Sequence, residues 1–438
     1  MNSAWLRFYP AVTPNQSIID QWSRSEWPDY QKWIDRNSIG LTEWQKLHVQ
    51  ATSWIKPIKL SLVVPIHNTQ AHILSECILS VRLQTYPYWQ LILVNDGSSN
   101  SETCQLLGSS LCCDPRIEQI HVENTQGISV SSNLGIDRAD GDYVVFLDHD
   151  DRLALDALQQ IANAIRQDTE LDILYSDRDM ISPQNKRYMH LFKPDWSPET
   201  LLSGNYIFHL MCYRRSLLIR LGKFRDEFNG SQDYDLILRA SETHPRVKHI
   251  DKVLYHWRQH ALSVSLNDAA KDYAFIAGVK ALEDTLQRRG IQGTVTEISD
   301  LWRGMYLIQL PPLSRQKIAV ISLDANYPEN YVAEINRQMS INEDRPYIAF
   351  IDSSIEELNA ESLNGLAAWL SLEHVGLISG KVLDRQYNIA YSGMNFTATG
   401  SLQIPYQGCP ETEAGYMAIT RIVRNISAPH PYCVILRR

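Results

Sequence analysis

The stretch GDYVVFLDHDD, residues 141–151, decides the architecture. Tyr143 to Leu147 form an unbroken apolar run, and three acids follow at once, Asp148, Asp150 and Asp151. Such a run, without polar alternation, reads as a strand buried on both faces, the pattern of a parallel sheet. The same texture occurs upstream. KLSLVVPIHN (59–68) ends in Pro65, His67 and Asn68, and Trp89–Val94 runs into Asn95-Asp96-Gly97, strand followed by turn chemistry in both cases. Helix-period segments at Ile73–Leu83 and Gly127–Ala139 separate these runs, with a further strand expected over Arg116–Val122. Strand, helix, strand in this order implies right-handed parallel crossovers. Ligands of open α/β sheets bind beyond the carboxyl ends of the strands, so Asn68, Asp96 and the acids from Asp148 to Asp151 are expected at one rim.

Downstream, Leu155–Gln167 has helical periodicity, and Leu171–Ser176 reads as a strand ending in Asp177-Arg178-Asp179. GSQDYDLILRA (230–240) heads an amphipathic helix with Gln232 and Asp233 in its first turn, and YHWRQH (255–260) groups His256 and His260. Residues 1–58 form a Trp-rich helical preface whose aromatics are expected to pack it onto the α/β domain. The second half contains a partial repeat: DYVVFLDHD (142–150) aligns with PYIAFIDSS (346–354), and CYRR (212–215) with ILRR (435–438). In the second copy Asp148 is matched by Asp352, but Asp150 falls on Ser354, and too little chain precedes the strand for two complete βα units. The expected organisation is a preface 1–58, an α/β domain 59–300, a linker 301–316 around Leu310-Pro-Pro-Leu313, and an incomplete, inactive α/β unit 317–438.

Composition excludes several classes. The chain of 438 residues has 41 Lys plus Arg against 50 Asp plus Glu, a formal net charge of -9, which disfavours a nucleic-acid partner. Seven cysteines without a CxxC pair argue against a zinc site and a secreted disulfide framework. The N-terminal sequence lacks a signal-peptide pattern, and no apolar run approaches the roughly 20 residues of a membrane span. A cytoplasmic protein, peripheral at a membrane at most, is the expectation. No GxSxG, GxGxxG or GxxxxGK[ST] pattern occurs, which removes the usual nucleophile-elbow, dinucleotide and P-loop readings.

Asp148 and Asp150 stand two apart, so in extended chain both carboxylates address the same point, suited to a hard divalent cation carrying phosphate oxygens. Asp96 reads either as a turn acid or as an acceptor for the N–H and O–H donors of a nucleotide, and Asn68 either closes an Asx turn or lines the same pocket. Asp233 is either a helix cap or a general base. His256 and His260 are core histidines or metal ligands, and Asp177 and Asp179 loop acids or acceptor contacts.

Taken together, these residues resemble the family 2 glycosyltransferases, which have the GT-A fold, a Rossmann-like, mostly parallel α/β sheet. The resemblance rests on VVPIHN (63–68), VNDGSS (94–99), NTQGISVSSNLGIDRADGDYVVFLDHDD (124–151), YSDRDMI (175–181), FKPDWSPETLLSGNYI (192–207), GSQDYDLILRA (230–240) and LYHWRQH (254–260). It covers about residues 58–300 and is similar to bacterial proteins with two such domains in tandem. It implies that Asp96 contacts the base and Asp148 the ribose of a nucleotide-sugar donor, with Pro65, His67, Asn68 and Asn133 lining that pocket. Asp150, with His256 and His260, would hold Mg²⁺ or Mn²⁺ on the diphosphate, and Asp233 would be the base of an inverting displacement. Asp177, Asp179 and Gln232 would face a glycan or lipid-linked acceptor. The QxxRW motif and membrane helices of processive relatives are missing, so transfer of a single sugar is expected. Residues 314–438 are left for packing, for dimerisation as a homo-oligomer or for acceptor binding. A non-catalytic nucleotide-sugar-binding or scaffold protein is the competing reading.

Overall fold

A computed structural model describes residues 12–259, 272–323, 328–397, 399–430 and 432–438, so His260 lies outside the described residues. The chain divides into two compact units. The first holds the described residues up to Trp196 and again Asn205–Leu282, the second Ser197–Gly204 and Glu283–Arg438.

In the first unit nine strands form one sheet: β1 (Leu60–Ile66), β2 (Trp89–Asp96), β3 (Ile117–Val122), β4 (Tyr143–Phe146), β5 (Arg152–Leu153), β6 (Ile173–Ile181), β7 (Arg187–Leu191), β8 (Met211–Arg214) and β9 (Val247–Arg258). Their order is β3-β2-β1-β4-β8-β6-β9-β5, with β7 added beside β6. The β3-β2-β1-β4 half is parallel throughout. Beyond it, β4–β8, β8–β6 and β9–β5 are antiparallel and β6–β9 parallel. This is the expected α/β architecture, with an unbroken parallel order in the half whose strands are joined by helical crossovers and mixed pairing beyond it. Leu60, Leu62, Val63, Val64 and Ile66 of β1 are all buried, which is why that strand reads as a continuous apolar run.

The helix Ala71–Arg82 buries Ile73, Leu74, Cys77, Ile78 and Val81, and Ala157–Gln167 buries Leu158, Ile161 and Ile165. Helix Ile128–Arg138 approaches β1 so closely that a Cβ added at Gly135 would stand 2.4 Å from Cγ1 of the fully buried Val63. Gly135→Ala is therefore expected to destabilise the protein by about 1–3 kcal/mol through overpacking, read as a lower urea midpoint. A midpoint equal to wild type would show that the helix yields without cost.

Helices Gln16–Trp22, Pro28–Asn37 and Leu41–Thr52 precede the sheet, and Trp22 and Trp44 are buried. Trp44 Nε1 donates to Leu83 O at 2.7 Å, and the Tyr30 hydroxyl donates to Asp179 Oδ2 at 2.7 Å. These aromatics thus pack into the first unit through both their rings and their polar ends.

The strand expected to stop at Ser176 continues to Ile181, because β6 keeps pairing with β9 as far as Ile181↔Arg258. Asp177 and Asp179 therefore lie within a buried strand, each neutralised by partners from other elements, rather than on a loop.

The second unit holds β10 (Thr294–Glu297), β11 (Tyr306–Gln309), β12 (Ile318–Leu323), β13 (Tyr347–Asp352), β14 (Leu377–Ser379), β15 (Val382–Leu383), β16 (Ile389–Tyr391), β17 (Asn395–Phe396), β18 (Leu402–Gln403) and β19 (Cys433–Arg437). Its four-stranded sheet, β12-β13-β19-β14, repeats the β1-β4-β8-β6 core with the same strand senses. Even the register is the same. Tyr143↔Arg214 and Phe146↔Met211 in the first unit answer Tyr347↔Arg437 and Phe350↔Val434 in the second. Arg214 donates to the carbonyls of Thr169 and Leu171, and Arg437 to those of Leu370 and Leu372, so the corresponding arginines close corresponding corners.

Candidate active site

The carboxyl ends of β1, β2 and β4 meet at one rim. Asn68, at φ 50°, accepts on Oδ1 from Ser99 N at 2.8 Å and Asn100 N at 2.9 Å, which ties the loop after β1 to that after β2. The His67 ring sits 2.8 Å by Nδ1 from Asp96 O, and Pro65 lies inside β1 opposite Val94. Asp96 is only 4% exposed, and its two oxygens accept from Gln126 N at 2.7 Å and Gly127 N at 2.9 Å. It therefore fixes the entry to helix Ile128–Arg138, whatever else it contacts. Asn133 is engaged structurally: both ends of its amide bond the backbone of Phe224.

The acid loop follows β4. Ligand oxygens of Asp148, Asp150 and Asp151 all lie within 4.8 Å of one another. Asp151 is fully buried and accepts from the Tyr255 hydroxyl at 2.5 Å and Arg258 N at 2.7 Å, while Arg258 Nε donates to Asp150 O at 2.9 Å. Burial first, then the neighbouring charges of Asp150 and Asp148, push the Asp151 carboxyl well above the usual range. Three carboxylates clustered in this way fit a hard divalent cation, because its charge would relieve the repulsion felt by Asp151. Cys77 Sγ donates to Asp148 O at 3.4 Å and Thr69 Oγ1 meets His149 Nδ1 at 2.8 Å, so the helix and loop after β1 brace the acid loop.

A histidine that the sequence reading did not single out completes the cluster. His209 Nε2 lies 3.1 Å from Asp148 Oδ2. The pairing Phe146↔Met211 explains it: carrying that antiparallel register two residues further sets Asp148 opposite His209. The signal lay in the hairpin-like register of β4 and β8, not in any local motif. Burial works against the imidazolium, but Asp148 outweighs it and raises His209 to about 9. The ring stacks on Tyr255, with centroids 5.1 Å apart.

Asp233 opens helix Gln232–Ser241, half-buried, and accepts from Asn205 Nδ2 at 3.0 Å and Tyr234 N at 2.8 Å. Burial is the main cause of its raised pKa, Asp148 adds to it, and His209 opposes it. Asp148, His209 and Asp233 thus form one electrostatic group, from a β4 loop, the approach to β8 and a helix start. Gln232 is spent locally, accepting from Gly230 N at 2.8 Å.

Three residues expected at the site are not brought to it. His256 is buried, with Nδ1 2.6 Å from Asp179 Oδ1, and lies outside the acid cluster. Asp179 also accepts from Arg187 Nε at 2.6 Å and Tyr30, and its exposure is 0%. Asp177 Oδ1 accepts from Lys193 N at 2.8 Å and lies 2.9 Å from His249 Nε2. Each is consumed by a buried network.

In the second unit the corresponding place holds different residues. Asp352 N donates to Tyr432 O at 2.9 Å, so a tyrosine stands where the first unit has His209, and Asp352 Oδ1 accepts from Ser354 N at 2.9 Å. All seven cysteines are unpaired, and no helix among the described residues is long and apolar enough to cross a membrane.

Comparison with known proteins gives this geometry a context. The chain is 28% identical to the O-antigen biosynthesis protein RfbC of Myxococcus xanthus, over 86% of this chain and 34% of that protein. It is 27% identical to a chondroitin synthase of Escherichia coli, over 53% of this chain and 33% of that protein. The chain thus spans about a third of the length of these two curated relatives. Among solved structures, S. aureus TarS 1-349 in complex with UDP-GlcNAc is 18% identical with a TM-score of 0.43, over 52% of this chain and 67% of that one. The profile described as glycosyl transferase family 2 matches residues 61–222, which include β1, β2, β4, the acid loop and His209. Over residues 61–222, then, the chain carries a domain similar to glycosyl transferase family 2.

Proposed function

We propose that the chain is a metal-dependent, inverting glycosyltransferase that moves a single sugar from a nucleoside diphosphate sugar to a hydroxyl of a glycan, lipid-linked or protein-linked acceptor in cell-surface polysaccharide synthesis. The observation that carries this reading is the convergence of Asp148, Asp150, His209 and Asp233 at the carboxyl rim of a parallel sheet. The family match and the relatives named for O-antigen biosynthesis and chondroitin synthesis support it.

Asp148 and Asp150 would hold Mg²⁺ or Mn²⁺, and a cation there would neutralise charge on the departing diphosphate. The chain's own residues do the rest. His67, Asn68 and the loop fixed by Asp96 shape the nucleotide side, and His209 holds the Asp148 carboxylate in place. Asp233 takes the proton of the acceptor hydroxyl as its oxygen bonds to the sugar's anomeric carbon. The bond from that carbon to the diphosphate breaks, and its electron pair leaves on the phosphate oxygen. A carboxyl raised by burial is a stronger base than an exposed one. The second unit is read as non-catalytic, on the strength of Ser354 and Tyr432 in place of Asp150 and His209.

The test is donor turnover across UDP-, dTDP- and GDP-sugars with Mn²⁺ or Mg²⁺. Asp150→Ala is expected to weaken Mn²⁺ binding at least about tenfold by calorimetry and to abolish metal-dependent turnover. Wild-type protein that binds neither metal nor any donor would leave the scaffold reading standing instead.

A further inference from the structure

Next to the acid loop, on the same face of the sheet, a guanidinium lies against two aromatic rings. Arg178 of β6 is the register partner of Tyr255 of β9, and registered residues of a parallel pair point to one face. That face carries the site, since Tyr255 stacks on His209 and donates to Asp151. The guanidinium carbon of Arg178 lies 4.6 Å from the ring centre of Trp257 and 5.6 Å from that of Phe208. Each ring belongs to a segment whose next residue reaches the acid loop. Phe208 precedes His209, which contacts Asp148, and Trp257 precedes Arg258, which bonds Asp150 O.

A buried lysine adjoins the guanidinium. Lys193 is buried, and its Nζ donates to the carbonyls of Ile207 and, at 2.8 Å, His209, so it holds the Phe208–His209 corner from behind. Burial first, then the charge of Arg178, push its ammonium down in pKa, while the carboxylate of Asp177 acts the other way. The oxygen Oδ1 of that carboxylate already faces Lys193 N and His249. Arg178, rather than Lys193, is therefore the fixed positive charge beside the acidic loop, in a chain of net charge -9.

We propose that the face formed by Phe208, Arg178 and Trp257 is the part of the acceptor site that recognises an anionic sugar, a pyranoside carrying a carboxylate or a phosphate. The inference rests on the glycosyl-transfer reading above. A guanidinium lies flat on aromatic rings and bonds in its own plane, where the fork of donors matches a carboxylate or phosphate. Phe208, 40% exposed, offers the apolar surface that the C–H face of a sugar ring packs on. An anionic acceptor approaching Asp148 and Asp150 meets repulsion that a cation held on the same face offsets, and Arg178 is such a cation.

The experiment measures binding of matched oligosaccharides to the full chain by calorimetry: one with uronate residues, one with glycerol phosphate, and a neutral one of equal length, with UDP titrated in parallel. Wild type is expected to bind at least one anionic oligosaccharide tenfold or more tighter than the neutral one, with a preference that shrinks as salt rises. Which anionic probe wins tells carboxylate from phosphate. Arg178→Gln should erase the preference, and Arg178→Lys should keep part of it, which separates lost charge from lost folding. Equal affinity for neutral and anionic probes, or a preference that survives Arg178→Gln, overturns the proposal. A loss of UDP affinity in Arg178→Gln as large as the glycan loss also overturns it, since the guanidinium would then serve the donor. Wild type that binds no UDP or UDP-sugar brings down the glycosyl-transfer reading and this inference with it, whereas UDP binding without anionic preference brings down this inference alone.

Discussion

Asp233→Asn is expected to slow sugar transfer about a thousandfold while changing donor affinity only a few-fold. The size follows from the role: a positioned general base contributes roughly 10²–10⁴ in rate. The substitution keeps shape and keeps an oxygen for the Tyr234 amide, so the helix start at Gln232 survives. Its effect on stability runs the other way from its effect on rate. The folded carboxyl of Asp233 is raised above its unfolded value, so the folded state binds more protons within that window and stability falls as pH rises through it. At neutral pH the ionised form therefore costs stability, and the uncharged Asn relieves that cost, a trade found at strained functional groups. Thermal unfolding at pH 7 should show a melting temperature within a few degrees of wild type, the relieved charge offsetting the lost acceptor for Asn205 Nδ2, alongside the collapse in kcat. In wild type the rate should fall with acidification through a value above the ordinary carboxylate range. Transfer within tenfold of wild type in Asp233→Asn would remove Asp233 from the chemistry and return it to a helix-start acid.

Why the site was half legible in the sequence can be read from individual residues. β1, β2 and β4 are legible because strands covered on both faces must be apolar throughout, and the acids after β4 stand out against that run. His209 is not legible locally, because the feature that brings it to Asp148 is the antiparallel register of β8 on β4, set by residues far apart in the chain. Asp179 misleads for the opposite reason. As a polar residue after an apolar run it resembles Asp148, yet Tyr30 from the preface and Arg187 and His256 from two other strands converge on it. Nothing in the local sequence distinguishes an acid at a strand's end from one paired inside a longer strand. The partial repeat is legible in PYIAFIDSS, but that it keeps the register of the first unit while replacing His209 by Tyr432 emerges only once the strands are paired.

That buried network should make the protein acid-labile in a definable window. Asp179 is fully buried, and burial alone would raise its carboxyl; Arg187, then His256, outweigh this and hold it well below the usual range. Its contribution to stability is thus present above the unfolded carboxylate value and lost as pH falls through that value toward the folded one. His256 is pushed down to about 4, chiefly by burial. It stays neutral in the fold while the unfolded chain takes up a proton near 6.5, so stability falls as pH drops from about 6.5 to about 4, by about 3 kcal/mol. His209, raised to about 9, acts above this window: its stabilisation is complete below about 6.5 and is lost as pH rises toward 9. Urea unfolding between pH 6.5 and 4 should therefore show a midpoint that falls more steeply with acidification in wild type than in His256→Asn, the raised Asp151 and Asp233 acting in the opposite sense in both. Asp179→Ala should cost more, about 3–5 kcal/mol at pH 7, because Arg187 is left buried without its carboxylate. If His256→Asn shows the same slope as wild type from 6.5 to 4, then His256 titrates as an ordinary histidine and the network does not bind Asp179 in the way its 2.6 Å contacts with Arg187 and His256 imply.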